Sequence, residues 1–170
     1  MFHSAEEVLD YAYRMEAARI DPTNIYEISI KGTNPANLTA QERIANGVML
    51  RSLALSNLGP MQVKVIDGEY TLDRDDSLKA RKQYCLEAMA TVYIRDKPVD
   101  KWLVVDTLKY IVAWKPDHTF EWWSKHLKLS KSTIHRLTMG EDGVKKFYCD
   151  WRNRAMDRIR ITFHQNGLIT

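Results

Sequence analysis

Within the seven residues SKSTIHR, positions 130–136, the chain places an ammonium, three hydroxyls, an imidazole and a guanidinium. Lys131 and Arg136 supply positive charge for phosphate oxygens. The planar fork of Arg136 can also donate two parallel hydrogen bonds to the exposed edge of a guanine. Ser130, Ser132, Thr133 and His135 can donate or accept. Lys125 and Lys128 lie just upstream. Together Lys125, Lys128, Ser130, Lys131, Ser132, Thr133, His135 and Arg136 are the candidate contacts to duplex DNA. Arg136 is the candidate base reader, while Lys125 and Lys131 suit phosphates.

Such chemistry needs a rigid support, and the surrounding pattern predicts one. Residues 119–138 read TFEWWSKHLKLSKSTIHRLT. Trp123, Leu127, Leu129, Ile134 and Leu137 have the spacing that packs two short helices against each other. Ser124 is small where the helices must approach. Ser130 is an N-cap, because its hydroxyl can accept a free N–H of the second helix's first turn. This is the pattern of a helix-turn-helix, whose second helix presents its N-terminal residues to a major groove. Lys128 stands at the turn, where glycine often supplies a left-handed backbone. A residue with a Cβ there costs about 1–2 kcal/mol if that conformation is kept.

The rest of the chain predicts an all-α protein, a helical bundle with a C-terminal helix-turn-helix and a long terminal helix. A Ser4/Glu7 capping box opens a first helix carrying Val8, Leu9, Tyr11, Ala12, Met15 and Ala18, which Asp21-Pro22 ends. Residues 24–31 read as irregular and 32–37 as a loop. A Thr39/Glu42 capping box opens a helix to about residue 57, with Ile44, Val48, Met49, Leu53 and Leu55 as its apolar residues. Residues 61–66 alternate as a strand would, but without a partner strand a short helix ending at Gly68 is the better reading. Asp73, Asp75 and Asp76 precede a helix over about 75–94. Acids there oppose the positive end of a helix dipole, and no His or Cys sits nearby at ligand spacing, so no metal is expected. A helix over 99–114 turns Trp102, Val105, Leu108 and Val112 inward. After the turn around Gly140 and Gly143, a helix over about 144–163 carries the stripe Phe147, Trp151, Ala155, Ile159 and Phe163. Three segments follow: 1–37, an N-terminal helix and linker; 38–114, a helical domain; and 115–170, the helix-turn-helix with the terminal helix.

Composition narrows the function classes. Of 170 residues, 45% are hydrophobic, too many for a disordered chain. No apolar run is long enough for a membrane span, and the start MFHSAEEVLD is not a secretory signal. Cys85 and Cys149 lack CxxC neighbours and read as thiols in a reducing compartment. Residues 1–114 hold 14 Lys/Arg and 16 Asp/Glu, whereas 115–170 hold 11 and 6, so the positive field lies on the helix-turn-helix segment. No phosphate loop, nucleophile elbow, HExxH or dinucleotide fingerprint is present, so neither an enzyme nor a cofactor is expected.

Two stretches resemble bacteriophage late-gene antitermination proteins of the Q type. LTAQERIANGVMLR, residues 38–51, looks like the LTxQERxAxxxMIxS opening of their first long helix. KLSKSTIHR, residues 128–136, looks like their GVSKSTxxR turn and recognition helix. The cysteine-rich zinc insertion of some members is absent here. The resemblance implies a protein of the bacterial host cytoplasm that binds DNA near a late promoter. It would load onto RNA polymerase while sigma factor is still bound, and suppress pausing and termination. It also implies a polymerase-contacting surface on the earlier helices, for which Glu42, Arg43, Arg51, Arg81 and Lys82 are the candidates. The alternatives are a plain helix-turn-helix repressor or activator, and a small terminase-like packaging protein.

Overall fold

The computed structural model describes residues 2–20 and 38–170. The irregular segment and loop expected over 24–37, and the Asp21-Pro22 stop, lie outside the described residues. Among the described residues there are eight α-helices and no β-sheet: α1 (Ala5–Ile20), α2 (Ala40–Leu55), α3 (Pro60–Tyr70), α4 (Asp76–Tyr93), α5 (Lys101–Ile111), α6 (Phe120–His126), α7 (Lys131–Met139) and α8 (Val144–Gln165). Residues 61–66 are therefore helical. One turn of 3-10 helix, Ile94–Asp96, finishes α4. Phe2 N–H donates to the Leu168 carbonyl, so the two ends of the described chain meet. No described helix is long and apolar enough to cross a membrane.

Local signals account for the helix starts. Thr39 and Glu42 form the reciprocal capping box expected of them. Asp75 caps α4 by accepting the Leu78 N–H at 2.9 Å, a hydrogen-bonding role beyond the dipole effect read for that acidic cluster. Pro60 occupies the first turn of α3, where its missing N–H costs no hydrogen bond.

Packing then builds two large cores along α8. Val8, Leu9, Ala12, Met15 and Ala18 of α1 are all buried with Ala155, Met156, Ile159 and Phe163 of α8. Val65, Leu86, Met89, Val104, Val105 and Leu108 of α3, α4 and α5 gather around Val144 and Tyr148. The three segments expected from sequence thus share cores, with α8 contributing to both. Gly47 lets α1 and α2 pack closely: a Cβ there would overlap the Met15 side chain.

Three of the apolar residues named from the sequence are exposed. Trp102 is 51% exposed, because Leu103 and Asp106 face the core instead. Met49 is 61% exposed and, with Ile44 and Val48, lines an open groove, while Gly47, Leu50 and Ala54 form the buried side of α2. Leu129 is 37% exposed at the tip of the turn between α6 and α7.

A polar cluster unites α1 to α4. Asp67, buried on α3, accepts from the Tyr13 hydroxyl, from Arg51 Nη2 at 2.7 Å and from Arg81 Nη2 at 2.9 Å. Arg81 Nη1 also donates to Glu16 at 3.2 Å. Arg51 Nε lies 3.2 Å from Glu16 Oε2, near enough for charge attraction but without hydrogen-bond alignment. Burial outweighs the Tyr13 and Arg51 contacts and holds the Asp67 carboxyl above its ordinary range.

Candidate nucleic-acid interface

The helix-turn-helix rests on α5 through a third, small core of Leu103, Trp123 and Ile134, with Phe120 and Leu127 packed against it. Leu103 serves as the base on which both short helices sit. A buried carboxylate fixes their entry. Asp106 of α5 accepts the Asp117 and His118 backbone N–H groups at 2.7 and 3.1 Å and the Trp123 indole N–H at 2.8 Å. One turn on, Lys109 donates to Asp117 at 2.8 Å, its ammonium also lying over the Trp114 ring. Sequence reading missed both residues. The available signal was an acid and a base inside the otherwise apolar run WLVVDTLKYIV.

The turn has the geometry that the sequence pattern demands. Lys128 adopts φ +55°. Its N–H donates to the Lys125 carbonyl, and the next N–H, of Leu129, donates to the Ser124 carbonyl at 3.0 Å. These two bonds define a Schellman motif with Lys128 at the left-handed position usually held by glycine. Ser124 adds a third tie, its hydroxyl donating to the Leu129 carbonyl at 2.6 Å. Ala113, also at φ +55°, closes α5 by the same device through Trp114 and Lys109.

Ser130 then caps α7, accepting the Thr133 N–H at 3.1 Å. Its hydroxyl is also within 2.9 Å of the Ser132 hydroxyl and 2.8 Å of the Thr133 hydroxyl. The exposed Ser130 and the half-buried Thr133 are therefore engaged in holding the helix start. The other candidates are exposed: Lys125, Lys128, Lys131, Ser132, His135 and Arg136. At about 100° per residue, Ser132 and Arg136 stand roughly opposite Ile134, the residue anchored in the core. They lie one turn apart and point to solvent together. Lys125 of α6 and Lys131 of α7 converge on Glu121, with ammonium–carboxylate distances of 3.5 and 3.6 Å. On the other side, Arg136 lines an open groove with Tyr93, Lys97, Glu141 and Asp142. Tyr93 and Lys97 both donate to the Asp142 carbonyl, fixing the turn that follows α7.

The positive charge of α8 is largely paired within the fold. Arg152 donates to Glu69, Arg160 to Glu6, Lys146 to Asp150, and Arg158 to Gln62 and the Asn57 carbonyl. Arg136 and Lys128 are exposed and have no ion pair among the described residues, whereas Lys125 and Lys131 share Glu121. On α6, Trp122 is stacked between His118 and His126, with centroids 3.8 and 4.5 Å away, which gives that helix a stiff outer face.

The residues expected to meet polymerase are placed differently from a free charged surface. Arg51 and Arg81 converge on Asp67. Lys82 is buried, donates to the Thr71 carbonyl at 3.2 Å, and is held below its ordinary pKa by burial. The Glu42 carboxylate accepts from Thr39, and Arg43 Nε donates to the Leu38 carbonyl at 3.1 Å. All five side chains have partners within the fold. No protein-family model matches the sequence, and a search of curated proteins finds no significant match.

Proposed function

We propose that this protein binds duplex DNA through α7 and acts in transcription as a phage late-gene antiterminator. The observation that carries the DNA-binding part is the left-handed Lys128 turn. It sets α7 across α6 with Ser132 and Arg136 directed outward together, and with Lys125 and Lys131 flanking them. A helix so presented enters a major groove, where a bidentate Arg–guanine pair contributes about 1–3 kcal/mol of discrimination. Lys125, Lys128 and Lys131 then meet phosphates and set the salt dependence.

The antiterminator part rests on the resemblance of residues 38–51 and 128–136. The test is transcript length past a strong hairpin terminator, with purified polymerase and sigma factor, on a template carrying the protein's site. Read-through supports antitermination. Tight site binding without read-through assigns the protein to the repressors and activators. That second reading has its own support, because Arg51, Arg81 and Lys82 are engaged in internal contacts. For the DNA-binding part, Arg136→Ala should cost about 1–3 kcal/mol at the preferred site and relax its sequence preference. Unchanged affinity and preference would refute the docking.

A further inference from the structure

Glu121 is the one acid among the exposed cations of α6 and the start of α7. Its pairing with Lys125 is explained locally: the two are four residues apart on one helix, and an acid suits a helix's first turn. Local rules do not account for Lys131, which belongs to the other helix. One carboxylate oxygen lies 3.5 Å from the Lys125 ammonium and 3.6 Å from the Lys131 ammonium, and all three side chains are exposed. These contacts are looser than the 2.8 Å pair of Lys109 and Asp117. The carboxylate is therefore held between two charges without being locked to either. Lys131 first, and then Lys125, keep it below the ordinary carboxyl range, so it stays ionised around neutral pH.

We propose that Glu121 is a built-in competitor for phosphate: in the free protein its carboxylate holds the place between Lys125 and Lys131 that a backbone phosphate takes when duplex DNA binds. The inference rests on the DNA-binding reading above. An anion of the same sign must displace Glu121 and then sit beside it. The residue lowers affinity for every duplex alike and keeps weak, sequence-independent complexes sparse. Only complexes that add base contacts from Ser132 and Arg136 overcome it.

The test is a thermodynamic cycle on the full chain. Four proteins are compared: wild type, Glu121→Gln, Lys125→Gln/Lys131→Gln, and all three changes together. The probe is a fluorescent mixed-sequence duplex of about three helical turns, titrated by anisotropy at low salt and at about 0.15 M. Glu121→Gln should tighten binding roughly fivefold at low salt, the size of one unit Glu–Lys attraction at about 4 Å in water that binding no longer has to break. The gain should shrink with salt and largely vanish in the background lacking both lysines. Unchanged or weaker binding by Glu121→Gln, while wild type binds, overturns the inference and leaves DNA binding standing. An equal gain in both backgrounds also overturns it, because that is a bulk-charge effect. Failure of all four proteins to bind sinks the DNA-binding reading and this one with it.

Discussion

Lys128 offers a direct test of the turn on which the functional reading depends. At φ +55° its Cβ crowds the following carbonyl, a cost of about 1–2 kcal/mol for an L-residue. Glycine escapes that cost but gives up about 0.5–1 kcal/mol of backbone entropy on folding relative to alanine. Lys128→Gly should therefore be more stable than Lys128→Ala by about 0.5–1 kcal/mol. For a chain of this length that is an increase in Tm of about 1–4 °C. Both variants lack the ammonium, so both should lose the same duplex affinity, and both salt slopes should fall by about one unit. Scanning calorimetry reads the first effect and anisotropy titration the second. The two readouts separate backbone geometry from charge. If Lys128→Gly melted at or below Lys128→Ala, the residue would not be left-handed in solution. The Schellman turn, and the placement of Ser132 and Arg136 that follows from it, would then be wrong.

Asp106→Ala should cost about 3–5 kcal/mol in urea denaturation, because it orphans two backbone N–H groups and the Trp123 indole N–H at once; a loss under about 1 kcal/mol would refute its role in seating the helix-turn-helix. Gly47→Ala should lower stability by about 1–3 kcal/mol through overpacking against Met15, read from the same denaturation curves, and a neutral effect would mean that α1 and α2 lie farther apart. The two Thr39 donors hold the Glu42 carboxyl below its ordinary 4.5, so its stabilisation is present above that pH and is lost as pH falls through the lowered value. Glu42→Gln should flatten this acid limb in pH-dependent melts, and an unchanged limb would argue against the capping box. Burial pushes the Cys85 thiol up to about 11 from 9.0, leaving roughly a hundredfold less thiolate at neutral pH. Iodoacetamide should label Cys85 only after denaturation, as mass mapping would show; rapid labelling in the native protein would contradict its burial.

What the sequence determined by itself was whatever depends on neighbours three or four residues apart. The Thr39/Glu42 box, the Asp75 and Ser130 caps and the buried stripe of α1 all arise within one or two helical turns, where backbone hydrogen bonds and side-chain period are set. The turn at Lys128 was legible for the same reason, since a left-handed C′ residue between two capped helices is a local motif. Only the tertiary structure decided which side of an ambiguous helix is buried. α2 carries apolar residues on more than one face, and its contact with α1 selects Gly47, Leu50 and Ala54 while leaving Met49 exposed. Tertiary packing also decided the polar pairings. Tyr13, Glu16, Arg51, Asp67 and Arg81 come from four helices, and Asp106 meets a loop and an indole beyond the end of its own helix. No spacing encodes such meetings. A charged residue in a helical stripe reads as solvated until the fold buries it, and burial then makes an unpaired charge costly enough that its partners become obligatory.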